Sequence, residues 1–168
     1  VRLDLTKTAP GTEQKFIGSN WDVRKYGAPD GQGGSQSIVR RVGATKQLIM
    51  YTSGQGLVGD IKIFRYDGEI AIPAGKIRAN DIWIDANGDG KEDPSEVAKM
   101  ASPIGWVTTL SVDSKGGVWA GVPGTGGSFM RHFSFKGLTA QGVPLYSAEK
   151  GTGYEDLPFP EEGAKTSG

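Results

Sequence analysis

The length of the apolar runs limits the fold more than any other feature of the chain. Ser37–Val42, Lys46–Tyr51, Asp60–Tyr66, Glu69–Pro73, Asp81–Ile84, Gly105–Val112 and Val118–Val122 are all short and rich in Val, Ile and aromatic residues. Such residues fit a pleated sheet, and glycine, proline or aspartate closes nearly every run, which marks strands joined by turns. Gly43-Ala44-Thr45 and Asp67-Gly68 read as hairpin turns, and Asp113–Gly117 as a third. Leu3–Leu5 and Glu13–Gly18 are weaker strand signals, and Trp21 opens a loop running to Gly34. Pro123–Ser128 reads as a glycine-rich connector, Phe129–Phe135 as a strand, and Leu138–Tyr146 as a turn and a last strand. No stretch keeps a helical period for the length of an ordinary helix. The expected class is all-β, with roughly ten short antiparallel strands. Residues 1–153 are read as one domain; residues 154–168 lose periodicity and read as a tail or linker.

Between two of these runs lies Asp85–Glu96, D-A-N-G-D-G-K-E-D-P-S-E. Asp85, Asn87, Asp89, Asp93 and Glu96 put side-chain oxygens at positions 1, 3, 5, 9 and 12; Gly90 stands at the sharp turn, and Lys91 offers its backbone carbonyl. The pattern resembles the calcium loop of an EF-hand and predicts a Ca2+ site. A solvated acidic turn is the plainer alternative, since Asn-Gly and Asp-Gly are ordinary turn formers. Magnesium fits less well, because it demands a stricter octahedron. The flanks depart from the EF-hand. Asp81–Ile84 reads as a strand, and Pro94 to Met100 allows one to two helical turns before Pro103. A structural ion is therefore expected, without paired helices to open.

Charge narrows the choice of partners. Lys plus Arg and Asp plus Glu are 19 each, a formal net charge of zero, so no basic excess points to nucleic acid. No apolar run approaches the roughly 18 residues of a membrane-spanning helix. Cysteine is absent, which removes disulfides, thiolate metal sites and cysteine nucleophiles. The chain starts at Val1 and reads as a mature or excised piece. A calcium site of ordinary affinity stays loaded outside the cell, so a secreted or cell-surface setting is expected.

Val112-Asp113-Ser114-Lys115-Gly116-Gly117-Val118-Trp119 resembles the D-x-x-G-x-x-W hairpin of secreted bacterial β-propeller blades. Phe64–Glu69 is similar without the tryptophan, and Asp81–Asp85 running into a calcium loop resembles the ion loops of such propellers. The resemblance covers about residues 35–150 and implies two to three blades. A ring cannot close on so few, so it implies part of a larger propeller or self-assembly with copies. A calcium-stabilised β-sandwich is the alternative architecture.

Catalytic signals are thin. His132 is the sole histidine, with no partner set for zinc or for a nucleophile triad; a half-buried strand residue is its plain reading. Asp60, Asp67, Glu69 and Asp113 qualify for carboxylate chemistry by type only. Gly124–Ser128 lacks the Gly-Lys-Ser/Thr ending of a phosphate loop. Trp83 and Trp119 lie within strand runs and read as core, whereas Trp21 and Tyr26 lie in the Gly/Pro/Asp loop and are the candidate ligand contacts. The sequence thus predicts a calcium-binding, non-catalytic module for recognition, carbohydrate included, or for scaffolding within a larger chain. A polysaccharide-active hydrolase or lyase, and a self-assembling homo-oligomeric propeller segment, are the alternatives.

Overall fold

The computed structural model describes residues 36–53, 59–101, 103–105, 107–124 and 127–147, with short pieces at 2–3, 14–15, 23–26 and 152–153. The chain is all-β, with antiparallel sheets and almost no helix. Fourteen strands are described: β1 (Arg2–Leu3), β2 (Gln14–Lys15), β3 (Gln36–Val42), β4 (Gln47–Ser53), β5 (Ile61–Asp67), β6 (Ile70–Ile77) and β7 (Asp81–Ile84), followed by β8 (Val97–Lys99), β9 (Thr109–Val112), β10 (Val118–Gly124), β11 (Gly127–Phe133), β12 (Phe135–Leu138), β13 (Pro144–Tyr146) and β14 (Thr152–Gly153). Among the described residues the only helical pieces are the four-residue turn Val23–Tyr26 and a 3-10 turn at Pro94–Glu96. The tail at 154–168 lies outside the described residues.

β3 to β8 form a six-stranded meander in chain order. A second sheet has the order β14-β11-β10-β9, and β1-β2 and β12-β13 are two-stranded. No sheet closes on itself among the described residues. Alternation explains the burial. In β4, Ile49, Tyr51 and Ser53 point inward, and in β9 Leu110 and Val112 do. Ile49, Tyr51, Ile61, Ile63, Ile77 and Ile82 from the larger sheet join Leu110, Val118, Ala120 and Phe133 from the smaller in one apolar cluster.

The facing edges of the two sheets are joined by side chains. Leu110 N–H donates to Gln36 Oε1 at 3.1 Å, and Arg40 Nε donates to the Val112 carbonyl at 3.3 Å. Deeper in, Tyr51 and Tyr146 share a hydrogen bond of 2.8 Å, and Tyr146 Oη donates to the Gly116 carbonyl at 2.8 Å. Burial raises both phenol pKa values, that of Tyr51 to about 12, so both stay neutral donors.

Several elements differ from the sequence reading. The β5–β6 turn is Gly68-Glu69, since Asp67 pairs with Ile70; the residue that needs a positive φ, Gly68 at +58°, thereby takes the first turn position. β6 continues past Pro73 to Ile77, and the register shifts there: Phe64 pairs with Pro73 but Ile63 with Gly75. Proline has no N–H for a ladder and is accommodated at a bulge. Pro94–Glu96 make a single 3-10 turn and Val97–Lys99 form β8, in place of the expected one to two helical turns. Pro123–Ser128 is largely ladder, with Pro123 paired to Ser128 and Gly124 to Gly127. Val23–Tyr26 is helical within what reads as a loop.

The tyrosine bridge makes a ranked prediction. Tyr146→Phe strands both the Gly116 carbonyl and the Tyr51 hydroxyl, so it should cost about 1–3 kcal/mol. Tyr51→Phe removes only a donor and should cost less. Denaturant unfolding at unchanged m-value checks the order.

Candidate metal centre

The loop begins where β6 bulges. Asp85 N–H donates to the Ala74 carbonyl at 3.2 Å, one residue past the Gly75–Ile84 ladder pair. The bulge opened at Pro73 therefore sets where the loop leaves the sheet. Gly88 and Gly90 take φ of +79° and +77°, conformations that disfavour any side chain. Gly90 also has no room for one, since a Cβ there would meet the Tyr26 ring and Ile72. At Gly88 a Cβ would meet Gln141, from the β12–β13 turn. An N-terminal helical turn and a C-terminal hairpin thus press on the loop's two glycines.

Within the loop, Asp85 is fully buried at 0% exposure. Among the described residues its carboxylate oxygens accept only from Gly90 N–H, both at 3.1 Å. Burial raises its pKa; the Gly90 hydrogen bond pulls the other way, and the charges of Glu96 and Asp89 push it further up. Arg65, whose Nη2 donates to the Gly88 carbonyl at 2.9 Å, offsets part of this. Glu96 is held by two donors, Asn87 N–H at Oε1 and Trp83 Nε1–H at Oε2, each 3.0 Å. Asn87 Oδ1 accepts from Asp89 N–H and Asp89 Oδ1 from Lys91 N–H, both 2.8 Å, while Asn87 Nδ2 donates to Asp93 Oδ2 at 3.3 Å.

Every residue of the sequence pattern thus lies in one short loop, linked by hydrogen bonds, between neighbouring strands. Among the described residues no three His, Cys, Asp or Glu side chains converge as a ready shell. The donor set still suits a hard cation: carboxylates, an amide oxygen and a backbone carbonyl, with no sulfur or imidazole. The Asp85 carboxylate, raised in pKa by burial and by the charges of Glu96 and Asp89, is the kind of group whose cost a divalent ion would reverse.

Beside the loop an ion-pair network joins β6 to β8. Arg78 pairs with Asp81 and, at 2.7 Å, with Glu92; Lys99 reaches Asp81 at 3.0 Å, and Lys76 lies 3.7 Å from Glu92. Arg78, Asp81, Glu92 and Lys99 line a shallow groove with Pro94 and Val97.

Tyr26 is half-buried, its ring against Gly90 with Lys25 Nζ 5.1 Å from the centroid. Trp21 lies outside the described residues. Trp83 is core at 2% exposure, and Trp119 is half-buried. The D-x-x-G-x-x-W hairpin has a physical basis: Asp113 accepts from Lys115 N–H at 2.8 Å, Gly117 N–H at 2.9 Å and Trp119 Nε1 at 3.2 Å. His132 stacks on Trp119, centroids 4.2 Å apart, with Nε2 3.5 Å from Asp113 Oδ2. The contacts from Trp83, Arg65, Gln141 and Tyr26 were not read from the sequence. Only Trp83, two residues before the loop, carried a local signal. Comparisons with protein-family models, with curated proteins and with solved structures returned no match.

Two predictions follow from this geometry. Gly68→Ala meets only an unfavourable φ, because nothing lies within 4 Å, and should cost about 1–2 kcal/mol. Gly90→Ala adds a collision with Tyr26 and should cost more, with Tyr26→Ala returning part of the difference; thermal melts of the three variants check it. The second concerns acid. Burial works to raise the Asp81 pKa, but hydrogen bonds and charge from Lys99 and Arg78 outweigh it and hold the carboxyl below its ordinary 3.8. A depressed folded pKa contributes stability that is complete above the unfolded value and lost as pH falls through the folded one. Asp81→Asn should therefore flatten the loss of stability below about pH 4, read from urea midpoints across pH.

Proposed function

We propose that this chain is a calcium-stabilised, non-catalytic β module of a secreted or cell-surface protein, serving recognition or scaffolding. The observation that carries the reading is Asp85: a fully buried carboxylate at the first ligand position, without a hydrogen-bonded cation among the described residues. Asp85, Asn87, Asp89, the Lys91 carbonyl, Asp93 and Glu96 would hold the ion. The ion would supply the positive charge that Asp85, Asp89 and Glu96 together lack, and so fix the excursion between β7 and β8. The site is read as structural, since strands leave it on both sides where an EF-hand has its helices. Carbohydrate is the ligand class proposed for the module, with Trp21 and Tyr26 the candidate contacts.

For the architecture, the sandwich reading is favoured over propeller blades. A six-stranded meander exceeds the four strands of a blade, and residues of both larger sheets share one apolar cluster.

Calcium added to the chelator-stripped chain should raise the melting midpoint in proportion to the logarithm of free calcium above Kd, with about 2.7 kcal/mol gained at a hundredfold excess. Asp85→Ala and Glu96→Ala should abolish that gain. A midpoint that calcium leaves unmoved sinks the ion reading, as do variants whose loss is the same with calcium and with chelator.

A further inference from the structure

We propose that Asn87 is a self-modifying residue, converted to aspartate and isoaspartate by attack of the Gly88 backbone nitrogen on its side-chain amide. The chain has three asparagines, at 20, 80 and 87, and only Asn87 precedes glycine. A side chain on the following residue would crowd the attacking nitrogen, and glycine has none. Asn87 is exposed, so ammonia can leave and water can enter. In the first step a bond forms between Gly88 N and Asn87 Cγ, the Cγ–Nδ2 bond breaks, and ammonia departs with the amide proton, leaving a succinimide. Water then opens the ring. Cleavage at the newly formed bond gives aspartate, and cleavage at the original peptide carbonyl gives isoaspartate, which carries one more carbon in the main chain.

The same loop supplies the brake. Gly88 N–H donates to the Asp85 carbonyl at 3.2 Å. The Asn87 amide is held at both ends, by Asp89 N–H at 2.8 Å and by Asp93 Oδ2 at 3.3 Å. These contacts hold the nitrogen and the amide in the folded loop, so conversion should be faster when the loop opens. The product also changes the third ligand position. Aspartate adds a charge there, and isoaspartate lengthens the backbone between Asp85 and Glu96. That calcium slows the reaction rests on the ion reading above; the reactivity of Asn87 does not.

The test is prolonged incubation of the intact chain at neutral to mildly alkaline pH, with saturating calcium or with chelator, followed by tryptic mass spectrometry. The tryptic peptide 79–91 carries both Asn80 and Asn87, so each sample contains its own control. The expected result is conversion at Asn87 several-fold above Asn80, as a mixture of two products separable by chromatography, and several-fold slower with calcium. Intact Asn87 in the chelated chain, where the free 79–91 peptide converts, overturns the proposal. Equal rates with and without calcium, in a chain whose midpoint calcium raises, overturn the brake and spare the ion site. Equal rates where calcium moves no midpoint overturn the ion reading and leave the Asn87 chemistry supported.

Discussion

Asp85 is a carboxylate without solvent, and the structure around it is arranged to accommodate that. Burying an unpaired charge is costly enough that such groups usually neutralise or find a partner. Here one backbone N–H, from Gly90, reaches both oxygens, and Arg65 lends its charge from β5 while bonding the Gly88 carbonyl. Burial is the largest effect and the charges of Glu96 and Asp89 add to it, so the net shift is upward, toward the protonated acid. Gly90 can serve only because its φ is positive and it has no Cβ to strike Tyr26. The bulge at Ala74 matters for the same reason, since it fixes the height at which Asp85 leaves the sheet.

The sheets meet by two kinds of contact. Isoleucines of the meander and the inward residues of β9 to β11 form the apolar cluster, a non-directional force. Direction comes from polar groups: the Gln36 and Arg40 side chains occupy backbone groups of β9, and the Tyr51–Tyr146–Gly116 chain runs through the interior. A buried polar chain is stabilising only when all its members are satisfied. The Gly116 carbonyl that ends it belongs to the turn organised by Asp113, so the Asp-Gly-Trp hairpin and the inner tyrosines depend on one another.

Much of this was legible in the chain. β-branched runs closed by turn residues located β3, β4, β5, β7 and β10 closely, because alternation and turn chemistry are local. That Asp85–Glu96 leaves the sheet after a strand was legible too, from its Asn-Gly and Asp-Gly turn pairs. What escaped was non-local. Pro73 reads as a strand end, yet a bulge opposite Ile63 and Phe64 absorbs it, which depends on the partner strand. Ala98 and Lys99 are good helix formers, but pairing of Val97–Lys99 with Asp81–Trp83 overrides propensity. Glycines at 124 and 127 suggest a loose connector, while the ladder they join is set by the partner strands of β10 and β11. The contacts of Tyr26 and Gln141 with the loop link segments far apart in sequence, and no local pattern encodes them.

The position of the loop in the sheet bears on what an ion there would do. β7 and β8 are neighbours, and β8 is the three-residue edge of the meander, held by Asp81–Lys99, Ile82–Ala98 and Trp83–Val97 pairs. An exposed edge strand invites pairing with another chain, and charge is one way to blunt it. Lys99 supplies such a charge and returns it to Asp81, the residue directly opposite. Glu96, the last residue of the loop, adjoins Val97 and receives the indole N–H of Trp83, so an ion fixing Glu96 would hold β8 from its first residue. The coupling would be to strand register and not to a hinge: releasing the loop would free the edge, and the buried Trp83 beneath it would lose a hydrogen-bond partner. A calcium ion at this site would therefore act as a clasp on the sheet's last strand, bearing on the β7–β8 hairpin and on the two segments, at Tyr26 and Gln141, that rest on the loop.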